Sequence, residues 1–570
     1  MAIPGTAPFG SKTLPQALVA VARRKPGALF LRVVDPRAPE APPRQLTFGD
    51  FERAVRRAVA FLRGRGVGAG DRLLFFAENG AEWQALSLAA QALKAEPAAI
   101  FAQLGGEQAA AIGLRVKPRL LVVSDAAQWS KLSGAAGALA AAGLATVVAR
   151  EPLAAGALPP GVAAVSYGEI FEGAAPELSP AELDALVAGG DGEDPFLLLF
   201  TSGTTGRPKG VRLPQRAMLR AIEDGRASTA VTEEDDGLHF LPFGHVAGHD
   251  QFMLALAQGH RLILVARRED VPRGLALGPT YLFSVPLLYE RIRGEVEARL
   301  ARLPRWARPL GRRLAPRAVR RKLGGRVRGL FSGGAGAAPG LETFFEELGL
   351  PFVELYGMTE TAGLISSNLF SGRRVPGSAG HLSSVVEARL EPDGELCVRG
   401  GTLMTGYLDP EDEEGAFTAD GYFRTGDLAR FAEDGTLHVE GRKKSLLVLS
   451  TGKKLSPEPI EQVLASTPPF SGAVLLGDGR PFVAAALFVP PAELERLGAA
   501  GRDPAVELLE QARAALAGFS EYEKPKRVLI IPGSLDQHPA LVTPTLKVKR
   551  DAFLRWAAAQ VEALYAPARS

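Results

Sequence analysis

The run FTSGTTGRPKG at 200–210 brings an apolar strand end into a loop of three glycines, several hydroxyls and one lysine. Such a loop can cradle phosphate. The small backbone from Thr201 through Ser202, Gly203, Thr204, Thr205 and Gly206 lets N–H groups approach phosphate oxygens. Ser202, Thr204 and Thr205 add hydroxyl donors, and Lys209 adds a point charge. Such a loop can close over a polyphosphate and open to release pyrophosphate. It is not a Walker A loop: Pro208 precedes Lys209 and Gly210 follows it, where that pattern needs Gly-Lys-Ser/Thr.

Other residues carry weaker signals. SGGAG at 332–336 follows the apolar RGLF, and glycines at a strand end let a planar ring lie against the backbone, which makes Gly333, Gly334 and Ala335 candidates. YGMTETAG at 356–363 reads by itself as a turn and a helix start with Thr359 as cap. Asp427 in YFRTGD is an ordinary turn residue taken alone, although one carboxylate can accept bonds from two ribose hydroxyls. His245 and His249 have the i, i+4 spacing of a metal pair. A zincin needs Glu after the first histidine, here Val246, and Gly248 weakens a helix.

Elements must hold these residues. RLLFFAE at 72–78 and RLLVVSD at 119–125 read as buried strands, with a helix over 81–96 between them. That alternation predicts parallel sheets with crossover helices. Residues 156–192 read as surface connection with one short helix, and 280–286 as a further strand. From 387 to 440, EPDGE, TADGY and AEDGT each place Asp-Gly at a turn between short strands. Beyond Gly441 a small α/β unit follows, ending in a helix over 551–564. The boundary falls at 442–444. The expected fold is α/β: a large N-terminal domain, 1–441, of parallel and mixed sheets with packed helices and a small β-rich subdomain, then a small mobile α+β domain, 442–570.

Bulk properties agree with a globular enzyme. The 570 residues exceed one compact domain, and 46% hydrophobic with 23% charged is an ordinary balance. A net charge of +3 gives no reason to expect nucleic-acid binding. The single cysteine, Cys397, cannot form an internal disulfide and fits a reducing compartment. The opening residues lack the pattern of a signal peptide, and no apolar run approaches the roughly 18–20 residues of a membrane span. A cytoplasmic protein is expected. One segment stands apart: 291–328 holds fourteen Lys or Arg against two Glu, at helical spacing and broken at Pro304, Pro309 and Pro316. It reads either as a solvated helical hairpin or as a patch for anionic headgroups at the inner membrane face or an acidic partner.

FTSGTTGRPKG, YGMTETAG, YFRTGD, GRKKSLLVLSTGKKLSPEPIE at 441–461 and PTLKVKR at 544–550 closely resemble, in this order, the signature stretches of the adenylate-forming (AMP-binding) superfamily. They cover most of the chain from 197 on; residues 1–196 match more loosely. The resemblance implies that Glu360 reaches Mg²⁺, that Thr359 bonds the α-phosphate, and that Tyr356 and Gly357 border adenine with Gly333, Gly334 and Ala335. It places Asp427 on the ribose hydroxyls, with Arg442 near the same ribose and phosphates. Lys547 matches the catalytic lysine, with Lys549 as the neighbouring alternative. Lys444 matches the pivot between domains, and His245 in LPFGHVAG the border of the acyl site. Lys209 belongs to the phosphate chemistry.

SVPLLYERI at 284–292, LGGRVRGLFSGGA at 323–335, TPTLKVKR at 543–550 and the long segment before SGGAG resemble long-chain fatty acid:CoA ligases in particular. They imply a medium- or long-chain fatty acid, ATP and CoA as substrates. An apolar tunnel suits such an acid, since each buried CH₂ contributes roughly 0.8 kcal/mol. Three positions depart from the commoner pattern: Pro214–Gln215, Gly244 and Ser445. Alternatives are an aromatic acid, a carrier-protein acceptor, β-lactone formation, or a non-catalytic nucleotide-binding protein that docks on membranes.

Overall fold

The computed structural model describes residues 8–154, 156–201, 207–372, 374–542 and 548–566. Among them are two large sheets, of nine and eight strands. In the first, Leu29–Val34, Arg261–Val265, Asp236–His239, Tyr281–Ser284, Gly329–Gly333 and Phe352–Tyr356 lie parallel, side by side in that order. In the second, Arg72–Phe76 pairs in parallel with Glu96–Ala99 and Leu120–Val123. All four residues of Leu120–Val123 are buried, as a strand covered on both faces must be.

Helices fill the space between the sheets. Ala81–Ala92 is buried at every residue but Glu82, which places the helix in the core. Its Trp83 packs 4.2 Å from Phe75 and 5.0 Å from Phe243. Val246–Gln258 touches both sheets: Phe252 meets Phe30 of the first at 5.5 Å, and His249 meets Phe196 of the second at 5.8 Å.

The Asp-Gly turns appear where the sequence places them. Val386–Leu390, Glu395–Gly400, Phe423–Phe431 and Leu437–Arg442 form a four-stranded antiparallel sheet. Gly394 and Gly435 turn two of its hairpins at φ +85° and +81°, a region that disfavours a side chain. Arg442 is the last residue paired in this sheet, opposite Asp427. Beyond it, Gly472–Leu476, Ala484–Val489 and Arg527–Pro532 form a three-stranded sheet. Its two faces bury apolar clusters drawn only from residue 447 onward.

Four local expectations change. The helix from Ala81 stops at Ala92, because Glu96 is drawn into a strand, where Arg72 and Arg212 each pair with it at 2.8 Å. Residues 156–192 hold the strand Ala163–Ser166 and two helices, Tyr167–Phe171 and Pro180–Ala188. Each helix begins with a capping box, Ser166 with Glu169 and Ser179 with Glu182. Pro316 does not break Arg308–Lys322; Ala315 and Val319 are buried against the core and hold the helix across it. The last helical stretch is two pieces, Arg550–Trp556 and Ala558–Tyr565.

No helix of the described residues is long and apolar enough to cross a membrane. The basic segment forms two helices, Pro286–Arg302 and Arg308–Lys322. Tyr289, fully buried, fastens the first to the sheet. Its hydroxyl lies 3.1 Å from the Leu282 carbonyl and 2.9 Å from that of Phe331, on adjacent strands. Tyr289→Phe is expected to cost about 1 kcal/mol, seen as a lower denaturant midpoint at unchanged slope. An unchanged midpoint would show that the hydroxyl clamps nothing.

Candidate active site

Three sheets end at one place. Gly329–Gly333 and Phe352–Tyr356 stop side by side at their carboxyl ends, with Gly333 opposite Leu355. Ligands of open α/β sheets bind beyond such ends. A Cβ on Gly333 would come 3.1 Å from the Leu355 carbonyl, and Gly334 turns away at φ +82°. Gly334 and Ala335 are exposed. At Gly357 a Cβ would overlap the Gly363 carbonyl, so only glycine lets the 357–363 loop close on itself.

Tyr356 and Asp427 meet across two sheets. The Tyr356 hydroxyl donates to Asp427 Oδ2 at 2.6 Å, and Arg442 Nε pairs with Oδ1 at 2.7 Å. Burial pushes the Tyr356 phenol well above its ordinary range, and the Asp427 charge adds to the shift. The phenol therefore stays a donor.

Glu360 is buried in the short turn Thr359–Thr361. Burial raises its carboxyl above the ordinary range, while Arg442 and Lys209 oppose that rise. Tyr407, which the sequence reading did not single out, joins these groups. Its hydroxyl donates to Glu360 Oε1 at 3.1 Å, and the Lys209 ammonium sits 4.8 Å from its ring centre. Lys209 also donates to the Asp412 carbonyl at 2.9 Å. The only sequence sign of Tyr407 is the Gly-Tyr pair in MTGYLD, and its two-residue strand, Gly406–Tyr407, is too short for any period. Thr359 is half-buried beside Glu360.

Thr201 and Lys209 face each other on antiparallel strands, Pro195–Thr201 and Lys209–Pro214. The glycine-rich loop thus joins two strands, whereas a P-loop joins a strand to a helix. Ser202, Gly203, Thr204, Thr205 and Gly206 lie outside the described residues, as does Lys547. The flank of the loop is tied down: Arg115 donates to the Pro208 carbonyl at 2.7 Å, and Arg207 pairs with Asp409 at 2.8 Å. Lys444 is exposed in the turn Lys443–Ser445, next to Arg442. From the C-terminal unit, Gln462 donates to the Gly336 carbonyl, which brings that unit against the Gly333–Ala335 edge.

His245 caps Val246–Gln258, its Nδ1 accepting the Ala247 N–H at 3.2 Å. Its ring lies 6.4 Å from that of Phe101. His249 points elsewhere: its Nε2 donates to the Phe243 carbonyl at 2.7 Å, and burial lowers it to about 3, so it stays neutral. Among the described residues no group of three or more His, Cys, Asp or Glu could hold a metal by itself. Two departures from the family pattern gain a physical reason. A Cβ on Gly244 would come 2.7 Å from the Phe101 nitrogen. Gln215 accepts the Leu14 N–H at 2.9 Å and donates to Gln91 and to the Pro195 carbonyl, each at 3.0 Å, stapling the first helix to the sheet.

Behind the Gly333–Ala335 edge, Glu354 accepts the Ala337 N–H at 2.7 Å. Burial, with Glu342 beside it, pushes Glu354 up to about 8 from the ordinary 4.5. The folded protein then holds more protons than the unfolded chain between those values, so stability falls as pH rises through that window. Glu354→Gln keeps the acceptor and removes the titration. Its melting temperature is expected to vary less with pH across the window and to exceed the parent's at the upper end. Parallel melting curves for the two proteins would refute the assignment.

An AMP-binding enzyme family model matches residues 18–408, and an AMP-binding enzyme C-terminal domain model matches 444–569. The long-chain-fatty-acid–CoA ligase FadD15 of Mycobacterium bovis is 30% identical, covering 91% of this chain and 92% of that one. The adenylation domain of a Mycobacterium chelonae carboxylate reductase superposes with a TM-score of 0.79 at 19% identity, over 99% of this chain and 92% of that one. The anthranilate CoA ligase AuaEII, bound to anthranoyl-AMP, gives 0.75 at 18% identity, over 97% and 98%. These two structures share the fold. The chain belongs to the AMP-binding enzyme family and is an AMP-forming acid–thiol ligase.

Proposed function

We propose that the enzyme activates a medium- or long-chain fatty acid with ATP, releasing pyrophosphate, and passes the acyl group to CoA, releasing AMP, on the cytoplasmic side of the cell. The observation that carries the substrate reading is the match to FadD15 along nearly the whole of both chains. The meeting of Tyr356, Asp427, Arg442, Glu360 and Lys209 supports the nucleotide chemistry.

Each residue has a physical task in this reading. A carboxylate is a poor nucleophile toward a polyanion that repels it. Lys209 and the 202–206 loop neutralise the phosphates, and the acid is held in line with the α-phosphorus. Thr359 bonds the α-phosphate. Tyr356 lays its ring on adenine against Gly333, Gly334, Ala335 and Gly357. Asp427, bonded to Tyr356 and Arg442, also accepts from the ribose 2′- and 3′-hydroxyls. Glu360 suits Mg²⁺: it is a buried carboxylate that would gain from a nearby cation, and it would hold the ion. Mg²⁺ held there would supply charge neutralisation at the phosphates. Lys547 steadies the charge that develops between acyl carboxylate and α-phosphate, and His245 shapes the acyl channel.

The two half-reactions need different surroundings at one carbonyl carbon. Adenylation needs Lys547 at the α-phosphate; thioester formation needs that space for the CoA thiol. Residues 442–570 therefore turn about Lys444, a hinge of the kind found at domain boundaries.

Without CoA, the enzyme is expected to exchange labelled pyrophosphate into ATP when its acid is present. Acid-dependent release of ADP and phosphate would sink the reading. A panel of acids read by AMP and thioester formation separates fatty from aromatic substrates, and CoA from a carrier-protein thiol. Lys547→Ala should abolish adenylation yet leave thioester formation from supplied acyl-AMP largely intact. Lys444→Pro, which fixes φ, should do the reverse. If Lys444→Pro slows both steps equally, the alternation account is wrong.

A further inference from the structure

Helix Arg308–Lys322 carries two apolar stripes, and the protein uses one. Ala315 and Val319 are buried against the core. About half a turn away around the helix lie Leu310 and Leu314, 58% and 48% exposed. Trp306, just before the helix, continues their i, i+4 row and is 82% exposed. These values mark an unpartnered apolar edge on a hairpin held rigidly by Tyr289.

The charge around this edge is of one sign. From 299 to 321 the chain has nine arginines and no acidic residue. Arg313, Arg317 and Arg321 fall on the same face as Leu310 and Leu314, three or four residues apart. None of the three makes an ion pair with a described residue. The acids of this hairpin sit farther back, where Glu295 pairs with Lys322 and Glu297 with Arg293. An aromatic tip and leucines rimmed by unpaired guanidinium groups match a surface whose outer layer is anionic and whose next layer is apolar.

The geometry points to this edge as a peripheral docking surface for an anionic phospholipid bilayer. The arginines meet headgroup phosphates, and Trp306, Leu310 and Leu314 enter the boundary between headgroups and acyl chains. An acidic protein would satisfy the arginines but would leave the exposed tryptophan and leucines without a matching layer. The inference stands on the hairpin alone and does not need the acid to be a fatty acid.

The test uses the full chain with vesicles of phosphatidylcholine, with and without about a third phosphatidylglycerol. Sedimentation is expected only with the anionic vesicles and should weaken about tenfold as salt rises from low to high. Arg313→Gln, Arg317→Gln and Arg321→Gln together should weaken it by a similar factor while activity on a short soluble acid is unchanged. Lipids brominated in the acyl chain report insertion by quenching tryptophan. Trp83 and Trp129 are buried and Trp556 is partly exposed, so Trp306→Phe isolates the signal. It should lose most of the quenching while still sedimenting. The proposal is overturned if the chain stays in solution with anionic vesicles at low salt, if the triple variant binds as well as the parent, or if quenching does not depend on Trp306. Binding to a soluble acidic polypeptide with none to vesicles would show a protein partner instead.

Discussion

The hydrogen-bonded chain Tyr356–Asp427–Arg442 ties together parts of the molecule that are far apart in sequence. Tyr356 ends a strand of the nine-stranded sheet, Asp427 lies in the four-stranded sheet, and Arg442 is the last paired residue before the C-terminal unit. A carboxylate only 3% exposed is costly without partners, and here a phenol and a guanidinium each take one oxygen. The three elements are thereby held in register by contacts of the protein itself. Pre-organisation of this kind lowers the ordering cost that binding must meet.

A second group answers the opposite electrostatic problem. Glu360 is buried and its carboxyl raised, so its negative charge is poorly solvated, and Lys209 and Arg442 offset part of that cost. Tyr407 stands between Glu360 and Lys209, bonding one and lying under the other. Lys209 is held by Asp412 as well, through its carbonyl at 2.9 Å and its carboxylate at 3.8 Å. The raised carboxyl and the restrained amine are two sides of one arrangement.

Much of this was legible in the sequence, for identifiable reasons. The strands around 72–76 and 120–123 showed themselves because a parallel strand buried on both faces is a continuous apolar run. The Asp-Gly turns of the small sheet follow from the backbone that glycine permits. The site motifs were legible through their resemblance to known ligases, since Asp427 or Thr359 alone would pass for a turn or a cap. Tyr407 was not legible because its role arises from contacts between segments distant in sequence. The early stop of the helix at Ala92 was hidden too, because the salt bridges that draw Glu96 into a strand come from Arg72 and from Arg212, far along the chain. The capping boxes at Ser166 and Ser179 were written plainly, but the Ala-, Pro- and acid-rich composition around them favoured a loop reading.

The helix Val246–Gln258 touches both large sheets, through Phe252 and His249. It works as a caliper. The strands bearing Thr201 and Lys209 lie in one sheet and the strand bearing Tyr356 in the other, and this helix packs against both sheets. Side chains remote from those residues therefore gauge their spacing. Close packing makes that gauge stiff: a change of one methylene at Phe252 or its neighbours has no slack in which to disappear. Selection on nucleotide affinity would then act on the core of this protein as well as on its motifs.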